Sequence, residues 1–169
     1  AFMAGGAKAM EPMVRELQDT FMQMKYSNIP VVAAVAGLAL GGGCEMALHA
    51  SRRVASIESY IGLVEVGVGL VPAGGGLKEA AVRAFTEAKG NDILQFLKTG
   101  FTNAATAQVS KSALEAKAMG YLKEDDIIVF NAYELLHVAK TTARAMFDAG
   151  YRAPARRTFP VTGRYGWAT

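Results

Sequence analysis

Two glutamates in this 169-residue chain have surroundings that suggest chemistry, because each lies among apolar residues beside a run of glycines. Glu45 follows Gly41, Gly42 and Gly43, and Glu65 lies 20 positions further on, where a second glycine-rich stretch begins. A carboxylate in apolar surroundings either has a partner or has a raised pKa, and both conditions are common at active sites. The alternative for Glu65 is that it simply reaches solvent from a loop.

The glycines before Glu45 could supply the other half of a catalytic site. Backbone without a Cβ approaches a ligand closely, and N–H groups at the start of a helix are oriented donors for negative charge. Donors that stabilise an oxyanion beside a carboxylate that transfers a proton are the arrangement of enolate chemistry. The simpler alternative is a tight turn that lets a helix pack on a strand.

Several other chemistries are disfavoured by spacing. Cys44 as a nucleophile needs a histidine base, and His49 is five residues on, on a different face of the helix. The segment GVGLVP has proline where a dinucleotide-binding motif needs its third glycine, and GLALGGGC lacks the lysine of a P-loop. Two histidines and one cysteine leave no zinc-type spacing, so we predict no metal site.

Composition narrows the class of protein. With 51% hydrophobic residues the chain can bury a sizeable core, and a net charge of +3 is compatible with an anionic ligand but far from a nucleic-acid binder. A single cysteine excludes an intramolecular disulfide and favours a reducing, cytoplasmic compartment. The uncharged run at 29–44 is shorter than the ~20 residues of a membrane span and rich in glycine, so we expect no membrane span.

The elements that must position the glutamates follow from periodicity. The run 30–43, with Val31, Val32 and Val35, predicts a strand buried on both faces that turns through the glycines into a short helix. Before it, apolar residues at helical spacing predict a helix over 11–25, with Pro12 in its first turn. Strands are predicted at 52–56 and 60–63.

The second half is predicted to be mainly helical. Helices are expected at 77–85, 90–103 and 112–119, the last closed by Gly120, followed by a long helix from the Asn131 cap to Gly150. The C-terminal residues form an arm that either packs on a partner or a ligand phosphate, or is a solvated tail. Its arginines and aromatics are Arg144, Arg152, Arg156, Arg157, Arg164, Tyr151, Phe159, Tyr165 and Trp167.

The motifs GLALGGGCEMALHA and YIGLVEVGVGLVPAGGG, in this order and at this separation, resemble the two signatures of the crotonase (enoyl-CoA hydratase/isomerase) superfamily. The match is firm over 30–78, and SALEAKAMGYL is more loosely similar to a later helix of the family. With KYSNIP and AYELLHVAK included, the chain is similar to the hydratase part of fused 3-hydroxyacyl-CoA dehydrogenase/enoyl-CoA hydratase proteins.

The resemblance implies an α/β fold with a crotonase-like (ClpP/crotonase) ββα spiral core that is N-terminally truncated. It divides the chain into a partial core at 1–110 and a C-terminal helical region and arm at 111–169. It makes Glu45 and Glu65 the catalytic acid/base pair and places Gly41, Gly42 and Gly74 among the oxyanion and substrate-binding groups. We also expect Glu45, near a helix N-terminus, to stay ionised more readily than Glu65.

The function implied is hydration of a trans-2-enoyl-CoA in fatty-acid β-oxidation. This chain retains both glutamates, whereas family members with only one are more often isomerases. An acyl-CoA thioester is then the substrate, no cofactor is needed in this chain, and NAD is expected only in a fused dehydrogenase module. We expect a homo-oligomer, a trimer or larger. The alternatives are an inactive helical assembly fragment, an isomerase and a thioester hydrolase.

Three departures from the family pattern qualify the site. Ala73 and Gly74 invert the usual order in the second loop, and Ala50-Ser51 stands where an aspartate often follows the helix. The family has two oxyanion N–H donors: one corresponds to Gly42, and the other comes from an upstream F-x-x-G-A-D loop. The segment FMAGGA at 2–7 imitates it without the aspartate and too close to Gly42, so we expect the donor loop to precede Ala1.

Overall fold

The structure, a computed structural model, describes residues 2–89, 92–156 and 158, with only the backbone at positions 2–5 and 7. Its helices are α1 (Phe2–Lys25), α2 (Gly42–His49), α3 (Gly76–Ala88), α4 (Ile93–Ala105), α5 (Ala113–Ala118) and α6 (Leu135–Asp148). Its strands are β1 (Val32–Val35), β2 (Leu38–Leu40), β3 (Arg52–Ser56), β4 (Tyr60–Gly62) and β5 (Ile127–Val129), and 3-10 turns lie at Glu65–Val68 and Ala132–Glu134. The α/β class is therefore confirmed.

Two small parallel sheets form the centre of the fold. One has the order β1-β3-β5 and the other pairs β2 with β4, so the chain crosses from the first sheet to the second twice. Val35 pairs with Ala55 in the first sheet, and Leu40 pairs with Gly62 in the second. Because β2 and β4 are parallel neighbours, their C-terminal ends lie side by side, and β2 contacts α2.

The prediction of a single strand, buried on both faces and leading into the glycine turn, is wrong. The chain breaks after β1 at Gly37, where φ is 61°, and continues as β2 in the other sheet. In β1 only Val35 is buried and Ala34 is exposed. An apolar run signals burial, but it does not reveal where a single glycine redirects the chain from one sheet to another.

The helices match the predictions in type, with shifted ends. α1 begins earlier than expected, so Pro12 lies within it, and Gly6 interrupts it with φ 62° and ψ −159°. The side chain of Ser112 caps α5, and that of Asn131 caps the 3-10 turn before α6. β5 was not predicted, although the apolar IIVF run after two aspartates could have indicated it. Since β5 lies past position 110 and pairs with β3, the division of the chain at 110 stays a prediction.

The C-terminal helix α6 packs on β1 and β3 through part of its apolar surface. Leu135 and Ala139 are buried against Val54 and Val129, whereas Leu136 is 74% exposed and Phe147 57% exposed. The apolar residues of α6 therefore divide into a face that completes this core and a face that the described chain leaves uncovered.

The described part of the C-terminal arm folds back on its own chain. The Tyr151 hydroxyl lies 2.8 Å from Ser51 Oγ, and the Arg156 guanidinium lies 5.0 Å from the centre of the Tyr26 ring. Ser51 Oγ also accepts a hydrogen bond from Val31 N at 3.2 Å. Arg157, Phe159, Arg164, Tyr165 and Trp167 lie outside the described residues.

A buried ion pair joins β3 to the turn before β5. Arg53 Nε donates to Asp126 Oδ2 at 2.6 Å, and Arg53 Nη1 donates to the carbonyls of Ala47 and Ala50 at the end of α2. Burial alone would raise the pKa of Asp126, but the Arg53 guanidinium outweighs it and holds this pKa below its usual range. The pair therefore fixes the C-terminal end of α2 against the sheet.

Within the described residues, the helices include none that is both long enough and apolar enough to cross a bilayer.

We expect Asp126→Asn to lower the free energy of unfolding by about 3–5 kcal/mol, because it leaves the Arg53 charge buried without its partner. Since the pKa of Asp126 is lower when folded than when unfolded, the pair stabilises the fold above the ordinary aspartate range and loses this effect as pH falls through the folded value. Urea unfolding at several pH values measures both. Asp148→Asn, in the exposed Arg144 pair, should cost less than about 1 kcal/mol, and equal losses in the two variants would contradict the prediction.

Candidate active site

The N-terminus of α2 is set by an unusual conformation of Gly41. Gly41 has φ 53° and ψ −122°, which a residue with a side chain rarely adopts. Its N–H donates to the Gly62 carbonyl at 2.9 Å, and its carbonyl accepts the Glu45 N–H at 2.9 Å. Gly42 and Gly43 then lie in the first helical turn, where N–H groups have no acceptor within the helix, and both residues are exposed. The oriented donors expected from the glycine run are present here.

Glu65 lies beside Gly41, at the first position of the 3-10 turn after β4. Both carboxylate oxygens of Glu65 are covered from solvent and have no hydrogen-bond partner among the described residues. A Cβ on Gly41 would lie 3.4 Å from Glu65 Oε1, so the glycine gives the carboxylate direct access to the helix N-terminus. The residue itself is partly exposed, but its carboxylate does not reach solvent, which argues against the simpler interpretation of Glu65.

The Glu45 side chain points away from α2 towards the loop before α3. It is 2% exposed, and its Oε1 accepts a hydrogen bond of 2.9 Å from the Gly76 N–H, at the first residue of α3. A Cβ on Gly74 would collide with Glu45 Oε2 and lie 3.0 Å from Phe21 Cε2. Gly74 therefore lies against the carboxylate of Glu45, and its lack of a side chain makes room for it.

Burial raises the pKa of Glu45 above its usual range. The N–H groups of Gly76, Gly74 and Gly75 act in the opposite direction, and the charge of Glu65 adds to the increase. The expectation that a helix N-terminus keeps Glu45 readily ionised is therefore reversed, because desolvation outweighs the donors. A carboxyl group whose pKa is raised towards neutrality is suited to transferring protons.

The structure brings together all five residues singled out from the sequence. Gly41 and Gly42 form the start of α2, Glu65 lies against Gly41, and Gly74 lies against Glu45. The two carboxyl groups are near enough for the charge of one to shift the pKa of the other. The arrangement places the N–H groups at the start of α2 near two carboxyl groups, which is the combination expected from the sequence.

The segment that imitates the other donor loop has a different structure. Residues 2–7 belong to the beginning of α1, where Gly6 interrupts the helix, so the segment adopts a mainly helical conformation instead of the expected loop. The location of the second oxyanion donor stays a prediction.

Cys44 is not a nucleophile in this structure. It is fully buried, and burial raises the pKa of its thiol to about 12. His49 does not serve it, since His49 Nδ1 lies 2.7 Å from the Glu45 carbonyl and Nε2 lies 3.0 Å from Lys78 Nζ. Among the described residues, no group of three or more potential ligands is placed to hold a metal ion.

A polar cluster behind Glu45 was missed from the sequence. The His49 ring stacks on Phe21 at 5.2 Å, and Glu79 binds Lys25 at 2.5 Å and Lys78 at 2.9 Å. The sequence does hold hints of this cluster, since His49 is one helical turn after Glu45 and Lys78-Glu79 comes just after the second glycine run. The hints do not suffice, because the residues belong to three helices that pack together only in the fold.

A cavity of 540 Å³ lies at the C-terminal end of α2, on the far side of the polar cluster from the Glu45 carboxylate. Its lining includes Lys25, His49 and Glu79 of that cluster, together with Tyr26 and Tyr151. A second cavity, of 170 Å³, lies between α3, α4 and α5. Neither includes Glu45 or Glu65. We place the candidate site by its chemistry, because the orphaned carboxylate and the free N–H donors are at the opposite end of α2.

Comparison with known proteins gives an independent result. Residues 3–124 match the family model of enoyl-CoA hydratase/isomerase. A solved structure of enoyl-CoA hydratase from Bacillus anthracis superposes with a TM-score of 0.67 at 25% identity, covering 85% of this chain and 50% of that one. The crotonase-like fold predicted from the motifs is thus confirmed.

The similar curated proteins are much longer than this chain. A probable 3-hydroxyacyl-CoA dehydrogenase of Bacillus subtilis is 44% identical over 92% of this chain and 20% of its own length. The fatty acid oxidation complex subunit alpha of Idiomarina loihiensis is 37% identical over 66% of this chain and 17% of its own. The predicted similarity to dehydrogenase fusions is confirmed, and this chain spans about a fifth of the length of these relatives.

We expect Gly74→Ala to destabilise the fold by about 1–3 kcal/mol, because the added methyl group collides with the buried Glu45 carboxylate and is close to Phe21. Gly67→Ala is the matched control, since a Cβ there meets nothing within 4 Å. Urea unfolding of both variants measures the difference, and a Gly74→Ala protein as stable as Gly67→Ala would show that the carboxylate is not packed against this loop.

Proposed function

We propose that this chain, which belongs to the enoyl-CoA hydratase/isomerase family, adds water across the double bond of a trans-2-enoyl-CoA thioester. The family relationship supports a hydratase or isomerase acting on a CoA thioester, and the names of the relatives support a place in fatty-acid oxidation. The choice of hydration rests on this chain's own site.

In the proposed reaction Glu45 and Glu65 hold one water between them. The water oxygen bonds to C3 of the enoyl group, and the π electrons of the double bond move towards the thioester carbonyl. The resulting enolate oxygen accepts a hydrogen bond from the Gly42 N–H at the start of α2. As the water oxygen bonds to C3, one O–H bond of the water breaks and its proton passes to the glutamate pair. The pair then releases a proton to C2, so that the sum of the steps is the addition of H and OH.

The observation that carries the proposal is the orphaned carboxylate of Glu65. Leaving buried polar oxygens without hydrogen bonds costs several kcal/mol, which a fold rarely retains without a use for the group. Here the oxygens lie beside Gly41, next to free N–H donors and within electrostatic range of Glu45. A water held by both carboxyl groups would satisfy Glu65 and stand ready to add to the substrate.

Isomerisation is the second candidate for the same site. Moving a double bond requires one group that carries a proton between two carbons, whereas hydration also requires a group that activates water. The second carboxyl group therefore favours hydration. A thioester hydrolase with a cysteine nucleophile is not supported, because Cys44 is buried and burial raises the pKa of its thiol to about 12.

Glu45→Gln and Glu65→Gln should each lower the turnover of crotonyl-CoA by roughly 10² to 10⁴, the usual contribution of a general acid or base, with little change in thioester binding. Loss of the enoyl-thioester absorbance measures hydration, and a 3-enoyl-CoA substrate measures isomerisation in the same variants.

Glu58→Gln is the matched control, because Glu58 is an exposed glutamate in the turn between β3 and β4. It should hydrate at the unmodified rate. Near-normal turnover in either site variant would remove the pair from the mechanism, and isomerase activity without hydration would favour the second candidate.

We also propose that the chain self-associates as a trimer or a larger complex. Phe130, Tyr133 and Leu136 are 77%, 98% and 74% exposed, and they follow one another around the start of α6. A group of large apolar side chains on the surface is typical of an interface. Self-association is expected whether the chain is an enzyme or an assembly fragment without activity.

Leu136→Gln should shift sedimentation at micromolar concentration towards monomer, because it removes an apolar contact from this surface. Lys140→Gln, one turn further along α6 and also exposed, is the control and should leave the distribution unchanged. A monomeric unmodified protein would overturn the proposal.

A further inference from the structure

We propose that His49 is a positioning residue, which in its neutral form with the proton on Nδ1 holds the Glu45 carboxyl group in its reactive place. The inference rests on the proposed function in so far as Glu45 is catalytic. Neither the family match nor the motifs assign a role to His49, and it does not touch the place where a substrate would lie.

The hydrogen bonds of the ring fix its protonation. Nδ1 lies 2.7 Å from the Glu45 carbonyl oxygen, which can only accept, so Nδ1 carries a hydrogen. Nε2 lies 3.0 Å from Lys78 Nζ, and an ammonium group can only donate, so Nε2 carries none. The ring is therefore neutral with its hydrogen on Nδ1. Burial lowers the pKa of His49, which is consistent with this form.

The charged groups around the ring favour the same form. Lys78 Nζ, which donates to Nε2, also lies 2.9 Å from Glu79 Oε1, and Glu79 is bound in turn by Lys25 from α1. Glu79 Oε1 is 3.6 Å from Nε2, and its charge is shared between the two lysines. The Lys78 ammonium would have to leave before Nε2 could take up a proton.

The ring lies between the two segments that hold the Glu45 carboxyl group. On one side it is bound to the turn of α2 that carries Glu45. On the other side it packs under the loop before α3, where a Cβ on Gly75 would lie 3.0 Å from Cε1 and Nε2. The next residue, Gly76, donates the N–H that binds Glu45 Oε1. His49 thus sets the spacing between donor and acceptor of the hydrogen bond that orients Glu45.

Variants can separate the hydrogen bonds of His49 from its volume. His49→Phe keeps an aromatic ring to stack on Phe21 but removes the bonds to Glu45 and Lys78. His49→Asn supplies a side-chain N–H near the position of Nδ1, so it can restore the bond to the Glu45 carbonyl. A small displacement of a catalytic group lowers turnover on the order of 10- to 100-fold. We expect His49→Phe to lower kcat by this factor with KM little changed, and His49→Asn to recover part of the loss.

Leu122→Ala controls for a general loss of stability. Leu122 is 3% exposed in the hydrophobic core that also contains Cys44 and Leu48 of α2, and it has no polar side chain to bond to the cluster. It should lower the melting temperature at least as much as the His49 variants while retaining kcat. Unchanged kcat in His49→Phe, or an equal fall in Leu122→Ala, would overturn the proposal.

A spectroscopic measurement tests the inference independently of hydratase activity. The ¹⁵N shifts of the His49 ring in the unmodified protein should be those of the neutral form with hydrogen on Nδ1, at neutral pH. The ¹³C titration of Glu45 should move further above the ordinary glutamate range in His49→Phe, because a weakened bond from the Gly76 N–H lowers the pKa of Glu45 less, and it should not move in Leu122→Ala. If the unmodified protein lacks hydratase activity while both signatures are found, the proposed function fails and the positioning role stands. A ring with hydrogen on Nε2, or an unmoved Glu45 titration in both His49 variants, would refute it.

Discussion

The hydrogen bond between the Glu45 carboxyl group and the Gly76 N–H constrains the rest of the structure around it. It joins the first turn of α2 to the first residue of α3, and at 2% exposure the carboxyl group has no solvent to compensate for lost contacts. The loop before α3 must therefore approach without side chains, as it does at Gly74 and Gly76. The same burial raises the pKa of Glu45, so the geometry that orients the group also makes it easier to protonate, as the proposed proton-transfer role needs.

Buried polar groups hold α2 at both ends. At its N-terminus, Gly41 bonds to the end of β4 and leaves the next N–H groups free. At its C-terminus, Arg53 of the central strand donates to the last carbonyls of the helix and is balanced by Asp126. A helix of eight residues has little stability of its own, so its position depends on these contacts. The site can be rigid because its short helix is tied to both sheets.

The two glutamates are held differently, which fits a division of tasks within one site. Glu45 is bound to backbone donors and supported by His49 from behind, whereas the oxygens of Glu65 have no partner among the described residues. One carboxyl group is thus fixed and the other is available to a water or a substrate. This asymmetry supports hydration more than a reaction in which one carboxyl group acts alone.

The sequence by itself determined the local features of this protein: the glycine runs, the carboxylates beside them, the caps at Ser112 and Asn131, and the motifs that identify the family. These depend on neighbouring residues, where glycine conformation, capping and periodicity act directly. Only the tertiary structure decided that the apolar run at 30–43 enters two sheets, that IIVF pairs with β3, and that Gly74 and His49 enclose Glu45. Each of these depends on which segments pack together, and burial of Glu45 by α1 and α3 reversed the direction of its expected pKa shift because desolvation depends on distant parts of the chain.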